Sequence, residues 1–276
     1  MTAPPFAYYG GKTRLADRIV DKFPPHQHYV EPFAGSLAVL LSKPPAAMET
    51  VNDLDGDLMT FWRVLRDQPA ELARAAALTP HSRTEHRASE TRPEDLSDLE
   101  RARRVWVQLT QGRGGTLRTT GWRYYLNPAS SPSTSFPGYL DGYVGRMAPA
   151  AERLRSVSLE CRPALEVIEA YGQHENVLLY VDPPYLGSTR ANRQYQVEMS
   201  SAAEHRELAV ALLKCRASVV LSGYDSPLYA ELYDGWHITR IKTTTGNSST
   251  NGERTEVLWS NRLPQPTLFC DQETAL

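Results

Sequence analysis

A chain of 276 residues is long enough for one large core, or for one core carrying an insertion, and does not depend on disulfides for stability. Cys161, Cys215 and Cys270 stand isolated, which suits a reducing compartment and excludes a disulfide framework and a zinc site; no metal is expected. A net charge of −2 and a pI near 6.4 exclude an overall basic nucleic-acid binder, so any such role has to rest on local charge.

Met1 to Tyr9 lacks a basic region followed by an apolar core, and no run approaches membrane length; a cytoplasmic protein without membrane contact is expected. Tyr8-Tyr9-Gly10-Gly11-Lys12-Thr13 leads into Leu15, Ile19 and Val20 at helical spacing. Gly-Lys-Thr invites a nucleotide-triphosphatase reading, but Phe6 stands where the phosphate loop needs its first glycine, and no strand precedes it. Two glycines still bring backbone close to a ligand, and Lys12 offers a point charge to a carboxylate.

His28 to Phe33 reads as a strand and Ser36 to Leu41 as a helix, with Ala34-Gly35-Ser36 between them. Asp53 ends a second strand, Met48 to Asn52, about where dinucleotide folds place an acid on a ribose. The phosphate-binding glycines are missing, which favours a nucleoside ligand over a dinucleotide. Asp53, Asp55 and Asp57 do not make a calcium loop, because the required glycine and terminal glutamate fall on Leu58 and Val64.

From Asp55 to about Ser158 the pattern turns helical, with Phe61, Trp62 and Leu65 on one face, then 72–78 and 96–109. No strand alternates with these helices, so the segment reads as an insertion. Arg101, Arg103, Arg104, Arg113, Arg118 and Arg123 follow one another without an intervening acid, and 111–125 is glycine-rich, basic and aromatic, a loop with a hairpin. Arg113, Arg118 and Arg123 suit phosphate contacts, and Trp122 suits base contact or wedging. Ser130 to Pro137 is a short surface segment.

The α/β pattern resumes with a strand at 157–159, a helix at 164–171 and an apolar strand from Asn176 to Val181 that stops abruptly at Asp182-Pro183-Pro184-Tyr185. Ligands of open α/β sheets bind at such carboxyl ends. Two prolines stiffen the loop and leave carbonyls free to accept. Asp182 and the Pro183 carbonyl can take the two N–H groups of a nucleobase amine while Tyr185 stacks on the ring. Leu186 to Ser200, with Tyr195, reads as a polar lid; His205 sits on a helix with Leu208 and Leu212 and pairs with no nucleophile. A strand at 217–222 and a late pair, 236–242 and 256–260, joined by the loop 243–254, complete the sheet before a frayed tail after Pro264.

In this order the pieces resemble the Dam-type DNA adenine-N6 methyltransferases along nearly the whole chain. The carrying motifs are Tyr8-x-Gly10-Gly11-Lys12, Glu31-Pro32-Phe33-x-Gly35, Asn52-Asp53, Asp182-Pro183-Pro184-Tyr185 and Thr255-Glu256-Val257-Leu258-x-x-Asn261. The resemblance implies an α/β, Rossmann-like methyltransferase sheet with an inserted, mostly helical target-recognition domain. Its expected parts are 1–60 for the first, cofactor-binding section, 61–155 for the insertion with its basic hairpin, 156–263 for the rest of the catalytic domain and 264–276 for the tail. It also implies S-adenosyl-L-methionine held by Tyr8, Lys12, Phe33, Gly35, Asp53 and Asp182, and an adenine flipped out of double-stranded DNA into the catalytic loop Asp182, Pro183, Pro184 and Tyr185. A restriction endonuclease partner is compatible with that family. Two departures stand out. Leu37 replaces a frequent second glycine, and Thr110-Gln111 replaces an Asn-Arg at the start of the recognition hairpin, so no target sequence carries over. Cytosine-N4 or RNA adenine methylation, and a silent DNA-binding module of the same fold, remain the alternatives.

Overall fold

The computed structural model describes residues 2–125, 136–185, 201–244 and 253–263. Tyr195 and the expected lid, the Ser/Pro segment up to residue 135, the middle of the 243–254 loop and the tail from 264 lie outside the described residues.

The short apolar runs become β1 (His28–Glu31), β2 (Met48–Asn52), β3 (Val157–Glu160), β4 (Val177–Val181) and β5 (Ser218–Gly223), all parallel. The late pair, β6 (His237–Thr244) and β7 (Glu253–Ser260), adds an antiparallel edge, giving a seven-stranded sheet in the order β3-β2-β1-β4-β5-β7-β6. Parallel strands covered on both faces read as continuous apolar runs. Here Leu178, Tyr180 and Val220 enter one apolar cluster and Leu179, Val181, Val219 and Leu221 the other, the period-two alternation of a strand buried on both sides. The α/β expectation therefore holds, with β7 inserted between β5 and β6.

Helices α1 (Ala16–Val20) and α2 (Ala38–Ser42) frame β1. Between β2 and β3, where one crossover helix would suffice, the described residues form six: α3 (Gly56–Asp67), α4 (Pro69–Leu78), α5 (Arg83–Ser89), α6 (Asp98–Gln111), α7 (Phe136–Val144) and α8 (Met147–Leu154). Asp55 caps α3 by accepting from the N–H groups of Asp57 and Leu58 at 3.0 and 3.1 Å, and Ser97 caps α6. The apolar stripe of α3, Leu58, Phe61, Trp62 and Leu65, is fully buried. Helix α5 escapes detection by periodicity because its buried residues are His86 and Ser89 rather than an apolar stripe. Beyond β3 come α9 (Ala164–Tyr171), α10 (Ala202–Leu213), opened by a Ser201–Glu204 capping box, and α11 (Pro227–Leu232).

The inserted helices share their core with the sheet: Trp62 and Trp106 belong to the same apolar cluster as Val51 and Tyr180. The N-terminal segment runs between the two layers. Trp106 donates its indole N–H to the Pro5 carbonyl at 3.0 Å, and Phe6 packs edge-on against Phe61 with ring centres 5.0 Å apart.

The run of arginines is not the open basic surface its spacing suggests. Arg101 pairs with Asp57 at 2.7 Å, Arg103 with Glu85 and Glu100 at 2.8 and 2.7 Å, and Arg104 with Glu100 at 2.8 Å. Helical spacing and tertiary folding bring acids to them that no linear inspection of 101–123 contains.

Candidate active site

Strands β2 and β3 leave β1 in one direction, β4 and β5 in the other, so a crevice opens at the carboxyl ends of β1 and β4. Val30 lies opposite Leu179, which sets Glu31 and Pro32 beside the end of β4 and Asp182. The Tyr8–Lys12 segment forms one wall of a cavity of about 280 Å³ in this crevice. Of the residues singled out in the sequence, Tyr8, Lys12, Phe33, Gly35, Asp53, Asp182 and Pro184 line it; Pro183 and Tyr185 do not, and Arg113, Arg118, Trp122 and Arg123 lie elsewhere on the molecule.

The loop after β1 is held by the end of β2. Gly35 adopts φ +47°, and a side chain there would press on the Tyr8 ring at 3.1 Å. Its N–H donates to Asp53 Oδ2 at 2.9 Å, while Asp53 Oδ1 accepts from the Asp55 N–H at 3.0 Å. Asn52, fully buried, donates to the carbonyls of Pro32 and Arg162 at 2.9 and 3.0 Å and accepts from the Arg162 N–H at 3.0 Å, tying β1, β2 and the loop after β3 together. Leu37, the departure from the family glycine, sits at φ +54° as the N-cap of α2. The left-handed backbone explains why glycine suits the position; the completely buried leucine side chain offsets the strain, about 1–2 kcal/mol, with apolar burial.

The cavity is acidic. Glu31, which accepts from the Tyr29 hydroxyl at 2.9 Å, is pushed up to about 8 chiefly by burial, and Asp53 up to about 6 for the same reason. Burial also raises Asp182, while Lys12 pulls it back. Lys12 is 5% exposed and lies 2.8 Å from each Asp182 oxygen; it also donates to the Tyr185 hydroxyl oxygen and, at 3.2 Å, to the Gly10 carbonyl. The Tyr185 hydroxyl donates to Glu256 at 2.8 Å, Ser222 donates to the same oxygen at 2.6 Å, and that oxygen is 3.7 Å from the Lys12 ammonium. Sequence reasoning missed the roles of Glu31, Ser222 and Glu256. The available signal was an acid inside an apolar strand, Glu256 before Val257-Leu258-Trp259, and Tyr29 two residues before Glu31 on one strand face. His205 is a buried core residue bonded to the Tyr229 hydroxyl at 2.9 Å.

Residues 111–123 form the expected hairpin: the Arg113 N–H donates to the Gly121 carbonyl at 3.0 Å and the Arg123 N–H to the Gln111 carbonyl at 2.7 Å. Gln111, fully buried, accepts from the Ser82 N–H at 3.1 Å and donates to the Pro80 carbonyl at 3.0 Å, so the departure from Asn-Arg serves as an anchor. Trp122 stacks with His81 and with Tyr124, at centroid separations of 4.4 and 5.5 Å, and the exposed Arg83 guanidinium lies over both Trp122 and Tyr124 at 4.9 and 5.5 Å. Arg123 turns to α7 and donates to the Tyr139 hydroxyl at 3.1 Å, whereas Arg113 is exposed. Arg83, twenty-eight residues before the end of the hairpin's base at Gln111, has no sequence signal that connects it to Trp122. The hairpin touches the crevice through its backbone: the Tyr9 N–H donates to the Gly115 carbonyl at 2.7 Å.

Strand order, the crevice at the β1/β4 reversal and a carboxylate–Pro–Pro–Tyr loop beside an acidic cavity together define an α/β protein with a ligand site at the carboxyl edge of its sheet. The chain matches the D12 class N6 adenine-specific DNA methyltransferase family over residues 8–97 and 145–247, and it belongs to that family. It is 27% identical to a type II methyltransferase of Lactococcus lactis subsp. cremoris over 270 residues, covering 91% of this chain and 93% of that one. It is 25% identical to the DNA adenine methylase of Escherichia coli (strain K12) over 260 residues, 90% of each chain. Among solved structures, a methyltransferase from Geobacter sulfurreducens superposes with a TM-score of 0.37 at 10% identity, covering 93% of this chain and 80% of that one. No helix among the described residues is long and apolar enough to cross a membrane.

Proposed function

We propose that the protein methylates N6 of an adenine flipped out of double-stranded DNA, with S-adenosylmethionine as donor and Asp182-Pro183-Pro184-Tyr185 as the amine clamp. The observation that carries this reading is the meeting of Asp182 with the acidic cavity at the sheet's reversal point. The cavity fits the donor. Burial pushes Glu31 up to about 8, and a cationic ligand beside it would favour its charged form, while Gly35 lets the Tyr8 ring pack against the turn where a Cβ would press on it. Tyr8, Phe33, Gly35 and Asp53 would hold it; when bound, it supplies a methyl group on a positively charged sulfur.

Asp182 accepts one N–H of the adenine amine and the Pro183 carbonyl the other, which raises electron density on the nitrogen and offsets the positive charge that develops there. The nitrogen lone pair forms the new C–N bond while the S–C pair returns to sulfur. The proton leaves the alkylated amine afterwards, with Asp182 as the adjacent acceptor. We assign residues 61–155 to target recognition. The family match skips 98–144, which contains the hairpin, as expected of a segment that differs with target sequence.

Labelled S-adenosylmethionine incubated with double-stranded DNA should place its label in N6-methyladenine, identified by mass after digestion to nucleosides. Label in N4-methylcytosine or in RNA would replace this reading with the corresponding alternative, and DNA binding without incorporation on any sequence would leave only a binding module.

For DNA contact, the stacked Arg83 joins Arg113, Arg118 and Trp122. Arg83→Ala and Arg113→Ala should each weaken specific DNA binding by about 1–3 kcal/mol if they read a base, and reduce the salt slope by about one if they contact phosphate. Arg123→Ala should instead act through the fold, because its guanidinium is already engaged by Tyr139. Titrations at several salt concentrations check this; unchanged binding for Arg83→Ala and Arg113→Ala refutes the interface.

A further inference from the structure

The ammonium of Lys12 lies equally close to both Asp182 oxygens, and it also donates to the Tyr185 hydroxyl and the Gly10 carbonyl. That is the site in which the proposed mechanism puts the target amine. Lys12 thus occupies the amine's seat, and a cation held there opposes the reaction in two ways. It neutralises the acceptor that should polarise the adenine nitrogen, and it stands beside an atom that becomes positive as the methyl group arrives. Moving a buried ammonium away demands a second counter-charge within reach. One is present: Glu256 on β7, 4% exposed, with one carboxylate oxygen 3.7 Å from the ammonium and fixed by the Ser222 and Tyr185 hydroxyls. The other ionisable groups facing this point are Asp182, Tyr180, Tyr185 and, across the crevice, Glu31; Tyr180 and Tyr185 are held far above their ordinary range by burial and stay neutral.

We propose that Glu256 is a positioning residue that receives Lys12 when the target base enters, so that the Asp182 carboxylate is released to the adenine amine. This rests on the assignment of Asp182 as the amine's acceptor. Lys12 then serves as a place-holder: it keeps the half-buried Asp182 carboxylate paired while no base is bound and transfers to Glu256, 3.7 Å away, by a shift of about an ångström, within the ordinary range of a side-chain rotamer adjustment.

The test is a double-mutant cycle in single-turnover methyl transfer at saturating donor and DNA. Wild type must transfer methyl to adenine, which checks the underlying reading separately. Glu256→Gln retains an acceptor for Ser222 and Tyr185 but removes the charge, and should lower the rate at least about tenfold with little change in donor KM. Glu256→Asp, which keeps the charge, should lose markedly less and serves if the Gln variant does not fold. Lys12→Met combined with Glu256→Gln should recover part of the rate lost in Glu256→Gln, because the cation that needed a second partner is gone. Full activity in Glu256→Gln, equal losses for the Gln and Asp variants, or losses that multiply in the double variant would each overturn the proposal and leave Glu256 as a scaffold for Tyr185.

Discussion

Asp182→Ala is expected to lower methyl transfer by about 10²–10³-fold or more, the scale on which removal of one preorganised electrostatic partner acts in an enzyme site. The loss should fall on kcat, because the carboxylate matters most where charge develops on the amine nitrogen. The fold should survive. Lys12 keeps the Tyr185 hydroxyl and the Gly10 carbonyl as acceptors and Glu256 at 3.7 Å as counter-charge, so no orphaned buried ammonium is created. Single-turnover incorporation of label, alongside thermal unfolding, checks both halves; near-normal transfer by a folded Asp182→Ala protein would remove Asp182 from the chemistry. The same group sets a pH limb. Protonation removes the charge that polarises the amine and offsets the positive charge developing on it, and burial has pushed Asp182 up to about 6, so kcat/KM should decline as pH falls through about 6. Lys12 holds that value down, so Lys12→Met should move the limb to higher pH. A pH–rate profile for the two proteins measures the shift, and an unmoved limb would mean that another group titrates.

Gly115→Ala is expected to separate the hairpin from the catalytic crevice. Gly115 has φ +63°, and an added Cβ would lie 2.7 Å from the Ala7 carbonyl oxygen and 3.0 Å from its carbon, so two backbones have to part. The left-handed conformation alone costs an alanine about 1–2 kcal/mol, and the overlap adds to it. The neighbouring contact, the Tyr9 N–H on the Gly115 carbonyl, is three residues from Lys12, so displacement should reach the amine clamp as well as the hairpin. Lower unfolding temperature together with reduced transfer to DNA is the expected result. Gly121→Ala provides the control, since its Cβ would meet only the Arg113 side chain, at 3.6 Å. Equal behaviour of the two variants would show that the hairpin's docking onto the N-terminal segment is immaterial.

What could be read from the chain follows the physics of each feature. Buried parallel strands are continuous apolar runs, so β1, β2, β4 and β5 announced themselves, and Asp182 was visible as a charge at the end of one. Gly35 and Asp53 were legible for a similar local reason, a tight turn after one strand and an acid after the next. Helices α5 and α11 were not legible, because the first buries a histidine and a serine rather than an apolar stripe and the second is six residues long. The arginines of α6 misled, since spacing along a chain says nothing about acids that folding brings from Asp57 and Glu85.

By itself, then, the sequence determined the strand-and-turn grammar of the sheet, the motifs at its carboxyl edge and the family they belong to, because these depend on short-range hydrophobic periodicity and backbone chemistry. Only the tertiary structure decided how those motifs are joined. Residues 12, 182, 185, 222 and 256 meet in one buried network, and Arg83 comes to lie over Trp122, because charge pairing and stacking act across space between strands and helices that the chain order keeps far apart.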